Sequence, residues 1–315
     1  MKIIKRYFIN KIVVYTLCLF LIILFYFVPT KEEVKYNVVE QKDLKESVVY
    51  LLDNDEYLSR VILYYDNKTI ESEINNKINI LINGSDEYSF FHPLIPKNTK
   101  VNSIKIDKDS VYIDFNNKIL DVNKYYEEQM IEAIVYSLTE INGINNIYIS
   151  VNGKRLDKLP NSKISLPYPL TRKYGINKEY DLNSLFGVNK TTIYFSKNVD
   201  DYSYYVPVTK INNDKSDKIQ IIISELKSSV NSVNNLNSYL DDKTKLIDYN
   251  ISDKSIELVF NDYLFSDKKV LESVEYIISS SIFENYEVDK LIINNSDKSI
   301  NIEINNTWFL LFNLL

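Results

Sequence analysis

The chain has 315 residues, 45% of them hydrophobic and 25% charged, with a formal net charge of −6. That is enough apolar material for two globular domains of ordinary size, and the wrong sign for a nucleic-acid binder, which needs a basic face. The five glycines never form a G-x-G, and one histidine (His92) and one cysteine (Cys18) exclude phosphate-cradling glycine loops, a His/Cys zinc site, a Cys–His nucleophile pair and an internal disulfide.

Residues 1–28 combine a basic tip (Lys2, Lys5, Arg6, Lys11) with an almost wholly apolar run from Tyr7 to Val28, 22 residues long. As a helix that run is about 33 Å long, enough for a hydrocarbon core of about 30 Å. The basic end belongs in the cytoplasm, which places the bulk of the chain outside, on a single-pass cell-membrane anchor. No A-x-A-like cleavage site follows the run. Leu17 before Cys18 is too large for a lipobox, so an uncleaved signal anchor is expected. Residues 29–46 are polar and read as a linker.

The first domain is expected over 47–157. Ser47–Asp53 and Leu58–Asp66 read as strands. Ser72–Asn83 carries Ile74, Ile78, Leu81 and Ile82 on one helical face, with Gly84 as a stop. Val101, Ile104 and Ile106, then Val111, Ile113 and Phe115, alternate on either side of Asp107-Lys108-Asp109, the pattern of a hairpin with one buried face. Met130, Ile131, Ile134, Val135 and Leu138 form a helical stripe that must cover the hairpin. Asn123 is the expected N-cap, Glu127 and Glu128 suit the first turn, and Gly143 ends the helix. Ile147, Ile149 and Val151 alternate before an Asn152-Gly153 turn.

Residues 158–190 gather Pro160, Pro167, Pro169, Gly175 and Gly187 and read as a connector that packs along one domain. Beyond it the pattern repeats. Tyr194 matches Tyr50, Thr244 matches Thr99, Phe260 matches Phe115 and Leu291 matches Ile147, each 144 or 145 positions on. A second domain is therefore expected over 191–306. The tail 307–315 (TWFLLFNLL) is too short to span a bilayer and is expected to dock on the second domain. The fold class is α+β: two tandem small domains, each a mixed or antiparallel sheet with two helices packed on it, after an N-terminal transmembrane helix.

The segment PLIPKNTKVNSIKIDKDSVYIDFNN, followed by a helix and NIYISVNG, resembles the GerMN domain of spore-germination GerM-type proteins. Pro96, Thr99, Lys100, Val111, Asp114, Phe115 and Gly153 fit the family pattern. The second copy departs from it, with Asp241-Asp242 in place of Ile–Pro, Val259 in place of Asp114 and Asp297 in place of the turn glycine. The resemblance implies a domain like the ring-building motif, which stacks side by side in envelope complexes. It also implies an extracytoplasmic setting in sporulation and germination, in the complex between mother cell and forespore. No catalytic residues are known for the domain, so none are carried over, and no cofactor or metal is expected.

The expected function is a non-catalytic, membrane-anchored scaffold acting by domain–domain association. Its partners are the membrane, other envelope proteins and further copies of itself, and not nucleic acid. An alternative is a cell-wall glycan or peptide binding module using some of the 26 tyrosines. A wall hydrolase with paired carboxylates is the third. His92 reads as a loop histidine beside a core edge, and Asp114 as a solvated strand residue or a cap on a neighbouring loop.

Overall fold

A computed structural model of the 315-residue chain describes residues 14–20 and 44–303, apart from 67, 86, 229–234, 241, 265–271 and 296–298. The chain divides into two units, Met1–Asp43 and Leu44–Leu315. In the first, Val14–Phe20 is helical with exposed side chains. The rest of the expected anchor Tyr7–Val28, most of the linker and the tail 307–315 lie outside the described residues. Among those described, no helix is long and apolar enough to cross a membrane.

The second unit begins with β1 (Lys45–Leu52) and β2 (Leu58–Tyr65), an antiparallel hairpin whose first two residues lie inside the stretch read as linker. Then come α1 (Ile70–Asn83), β3 (Val101–Asp107), β4 (Ser110–Phe115), α2 (Glu127–Thr139), β5 (Asn146–Val151) and the two-residue β6 (Lys154–Arg155). The connector contributes β7 (Glu179–Asp181). The second half follows as β8 (Asn189–Val199), β9 (Tyr202–Asn212), α3 (Lys218–Ser228), β10 (Leu246–Ile251), β11 (Ser255–Phe260), α4 (Glu272–Asn285), β12 (Lys290–Asn294) and β13 (Ser299–Glu303).

Each half is a hairpin, a helix, a second hairpin, a helix and a strand. In both, the second helix is the crossover between two parallel strands, β4 to β5 and β11 to β12. The stripe on α2 does what its spacing requires: Met130, Ile131, Ile134, Val135 and Leu138 are fully buried, as are Val111, Ile113, Phe115, Ile147 and Ile149 of the sheet. Each such side chain is worth about 1.5–3 kcal/mol of transfer free energy. Ile256, Leu258, Phe260, Leu291 and Ile293 do the same in the second half.

The start of α2 differs from the expectation. Asn123 is not its N-cap: its side chain closes a preceding turn by accepting the Tyr125 N–H (3.0 Å), and the helix begins at Glu127 after Tyr126, which makes no side-chain cap. The cause is the connector. The Glu127 carboxylate turns outward to accept the N–H groups of Asn161 (2.7 Å) and Ser162 (2.6 Å). Helix α2 ends at Thr139, ahead of Gly143. Helix α1 begins earlier than expected, with Thr69 and Ser72 forming a reciprocal capping box.

Three sheets result. Two four-stranded sheets run β3-β4-β5-β6 and β10-β11-β12-β13. The third is shared: β1-β2-β9, with β8 and β7 both on β9. The two opening hairpins therefore meet edge to edge in one sheet.

Candidate functional site: the inter-domain junction

The meeting of β2 and β9 has a local two-fold character. Their single antiparallel register pair is Arg60 with Tyr205, positions that correspond in the repeat, 145 residues apart. An antiparallel pair of equivalent residues places equivalent neighbours opposite one another on either side.

Asp53 and Lys197 form one such equivalent pair, 144 positions apart. Lys197 Nζ lies 2.9 Å from Asp53 Oδ2 and 2.6 Å from Asp55 Oδ2, and the side chains of Lys197 and Asp53 are 2% and 1% exposed. The Tyr204 hydroxyl donates to the same Asp53 oxygen at 3.0 Å. Asp53 Oδ1 accepts the N–H groups of Asp55 and Tyr57, both at 2.9 Å. Two copies of the first domain paired this way would bring aspartate against aspartate, which is costly when buried. The junction therefore distinguishes first domain from second by sign of charge.

Arg172 of the connector sits between two further matched sets. Tyr50, Ser137 and Glu140 correspond to Tyr194, Ser281 and Glu284, each 144 positions on. In both halves the serine hydroxyl accepts the tyrosine N–H at 2.9 Å. The tyrosine hydroxyl donates to the glutamate, at 2.8 Å in the first half and 3.2 Å in the second. Burial pushes both phenols well up, so they remain donors. Arg172 joins the sets: Nε is 2.9 Å from both Glu284 oxygens, Nη1 3.2 Å from Glu140, and Nη2 2.9 Å from the Tyr194 hydroxyl. Its guanidinium also lies 4.3 Å from the Tyr136 ring centroid. Burial works to raise the Glu140 carboxyl, yet Arg172 and Arg60 together hold it below its ordinary range.

Asn177 fills the gap where the two hairpins diverge. Its amide accepts the Leu58 N–H and donates to the Leu58 carbonyl, both at 2.8 Å, and donates to the Pro207 carbonyl at 2.8 Å. A side-chain amide here replaces the missing strand partner. Lys178 pairs with Glu128 (2.5 Å) and Glu132 (3.2 Å). Burial raises the Glu132 carboxyl to about 7, against the pull of Lys178. The connector thus packs against both domains, not along one.

The outer edges of the shared sheet are closed by side chains and by one bridge each. On β1, Val48, Tyr50 and Leu52 meet Lys77, Ser137 and the His92 backbone. On β8, Thr192, Tyr194 and Ser196 meet Asn285, Ser281 and the Asn237 backbone. His92 is thereby placed as a backbone bridge, its ring exposed and 3.0 Å from Asn54 Oδ1. The sheet edges that pair on one side only are β3 and β10, which end the two outer sheets. Both are largely exposed and carry a register shift near their start.

The motif residues gather around that hairpin. The buried Thr99 hydroxyl donates to the Pro96 carbonyl at 2.7 Å. The Lys100 side chain is exposed, while its backbone pairs with Asn116: Lys100 N–H to Asn116 Oδ1 at 3.1 Å and Asn116 N–H to the Lys100 carbonyl at 2.9 Å. Val111 and Phe115 are core. Asp114 accepts the Gly153 N–H (2.7 Å) and the Asn102 amide (2.9 Å), fixing a turn in which Asn152 and Gly153 both have positive φ, 49° and 79°. Asn116, absent from the expected motif, recurs as Asn261, which makes the same bonds to Lys245. The Phe–Asn dipeptide at both sites was the available signal.

The tyrosines do not form an open platform on this face. Tyr112, Tyr148 and Tyr168 stack on one another, centroids 4.5 and 5.8 Å apart. Lys105 and Arg155 lie over the Tyr112 and Tyr168 rings. Ring faces engaged in this way are cross-strand packing and are not presented to a sugar. Among the described residues, no group of three or more His, Cys, Asp or Glu side chains is placed to hold a metal ion.

Residues 48–157 match the Germane family, described as sporulation and spore germination. The spore germination protein GerM of Bacillus subtilis (strain 168) is 29% identical over 267 residues, which is 82% of this chain and 70% of that protein. The solved structure of the tandem GerMN domains of the B. subtilis sporulation protein GerM superposes with a TM-score of 0.74 at 26% identity, covering 81% of this chain and 92% of that one. The chain belongs to the spore-germination GerM family, with tandem GerMN domains of mixed sheets and helices.

Proposed function

We propose that the chain is a non-catalytic scaffold of the sporulation and germination envelope machinery. Tyr7–Val28 tethers it, with Lys2, Lys5, Arg6 and Lys11 on the cytoplasmic side and the tandem unit outside. The observation behind this reading is the junction itself. Arg172 and the Lys197–Asp53 pair bolt two domains into one body, and side chains close the outer edges of the shared sheet. What remains for envelope partners is the pair of terminal strands β3 and β10, presented by one rigid piece. Two like edges on one body raise the effective concentration for a repeating partner array.

The test has two arms. Fractionation of sporulating cells with external protease should recover the chain in the membrane and cleave it from outside. Light scattering after size exclusion, with and without candidate envelope proteins, should show a complex that Lys105→Pro on β3 weakens, since proline removes a ladder donor. Recovery in the cytosol, or a strict monomer that holds no envelope protein, overturns the proposal. Co-sedimentation with purified peptidoglycan instead would favour a wall-binding module.

A further inference from the structure

The connector presents an apolar strip that neither domain covers. Tyr180, Leu182, Leu185, Phe186 and Val188 are exposed, Leu185 at 87% and Phe186 at 88%. The loop is held in this attitude. Asn213 Oδ1 accepts the N–H groups of Asn183 (2.9 Å) and Ser184 (3.1 Å), and its Nδ2 donates to the carbonyls of Ser184 (3.0 Å) and Phe186 (2.9 Å). Asn189 donates to the Asp214 carbonyl. A backbone pinned by its own polar partners keeps both side chains pointing away from the core. Beside the loop runs a shallow groove of about 320 Å³, where Tyr174, Leu182, Val188 and Ile211 meet Lys178 and Lys190. Burial, with Lys178 nearby, lowers the Lys190 ammonium. A contiguous apolar strip of this kind marks a binding surface.

We infer that its occupant is the chain's own segment Thr307–Leu315. This segment carries Trp308, Phe309, Leu310, Leu311, Phe312, Leu314 and Leu315 and no charged side chain. A stretch of nine residues is far below the roughly 20 that span a bilayer. The path from β13 to the groove is marked by adjacent contacts. Glu303, the last described residue, lies 3.9 Å from Lys290 at the start of β12. Just before β12, Glu287 lies 3.8 Å from Lys173. The Lys173 carbonyl accepts from Lys190 Nζ at 3.5 Å, and Lys190 lines the groove. The residues after Glu303 reach up to about 40 Å when extended, which suffices for this route. The apolar segment and the apolar strip are thus within reach on one body, and each has what the other lacks.

Trp308 is the only tryptophan in the chain, so its fluorescence reports the segment alone. The test uses residues 44–315, which form one compact unit. Trp308 should emit to the blue of N-acetyltryptophanamide and be shielded from acrylamide, at every protein concentration. The double substitution Leu185→Ser/Phe186→Ser, at positions open to solvent, should move the emission to the red and restore quenching while the circular dichroism stays unchanged. Removing residues 304–315 should speed amide exchange across 180–188 and leave α2 untouched. Water-like emission indifferent to the substitutions overturns the inference. So does a blue shift that arises only on adding phosphatidylglycerol vesicles, which would assign the segment to lipid. A shift that fades on dilution would assign it to a second copy and overturns it equally.

Discussion

Replacing Lys197 by methionine tests the junction most directly. Methionine keeps the length of the side chain and removes the charge. Asp53 is then left buried, 1% exposed at its side chain, without its cation. Breaking a buried pair from one side costs about 3–5 kcal/mol, because the other charge stays in place uncompensated. Asp53 retains four donors, the Asp55 and Tyr57 N–H groups and the Tyr204 and Ser59 hydroxyls, which places the loss near the lower end, about 3 kcal/mol. That corresponds to a fall in melting temperature of roughly 6–12 °C. Asp53→Asn should be damaging in its own right, because it weakens the same turn and strips Lys197 of its buried partner. The double variant Lys197→Met/Asp53→Asn leaves no unpaired charge, so its loss should fall short of the sum of the singles by about 1.5–3 kcal/mol. Urea titration of residues 44–315 followed by circular dichroism measures all three. A loss under about 1 kcal/mol for Lys197→Met, or strictly additive singles, would refute the assignment of this pair as the bolt between the domains.

Arg172→Lys should cost about 2 kcal/mol or more, since an ammonium cannot fork to Glu140 and Glu284 while stacking on Tyr136; the same titration reads it, and a neutral result would sink the hub role. Glu132 sets a pH dependence. A carboxyl raised from 4.5 to about 7 in the fold contributes stability that is fully present below the unfolded value and lost as pH rises through 7. Stability should therefore fall by about 2–3 kcal/mol between pH 5 and pH 8 on account of this group, and Glu132→Gln should flatten the slope over that window, where the depressed Glu140 is ionised in both states. Asn116→Ala and Asn261→Ala should each cost about 1–2 kcal/mol by similar amounts, because each amide makes the same bonds in its own half. Unequal losses, read by thermal melts, would count against equivalence of the two clamps.

The apolar half of this fold was open to inspection in the chain. Val111, Ile113 and Phe115 alternate, the α2 stripe recurs at helical spacing, and both patterns return 144 or 145 positions later. Burial follows periodicity, so periodicity reports burial. The junction was hidden because its members are polar residues with no periodic signature. Arg172 meets Glu140 and Glu284, which are 32 and 112 positions away, and nothing local marks any of them. A signal did exist. Tyr50, Ser137 and Glu140 each recur in kind at the offset already found from the apolar residues, while Asp53 is exchanged for Lys197. Matching only apolar positions passed over the set that joins the domains. The start of α2 was misplaced for a related reason: Glu127 serves Asn161 and Ser162 in a distant segment, and a cap judged from neighbouring residues cannot know of that demand.

The closed edges of β1 and β8 bear on how such a protein can assemble. A sheet with open ends invites another strand, whether the right one or not. Here alternate residues of both end strands already have their outward groups engaged, by Ser137 and Lys77 on one side and by Ser281 and Asn285 on the other. The serines sit inside helices, where a hydroxyl is normally of little use to the helix itself, and they recur at the repeat offset. Their common task is to end the shared sheet at four long strands. With that sheet closed and its centre fixed by opposite charges at equivalent positions, the two domains are directed toward each other within one chain. Association with anything else is left to β3 and β10, whose register shifts and exposed polar residues keep their edges from pairing indiscriminately.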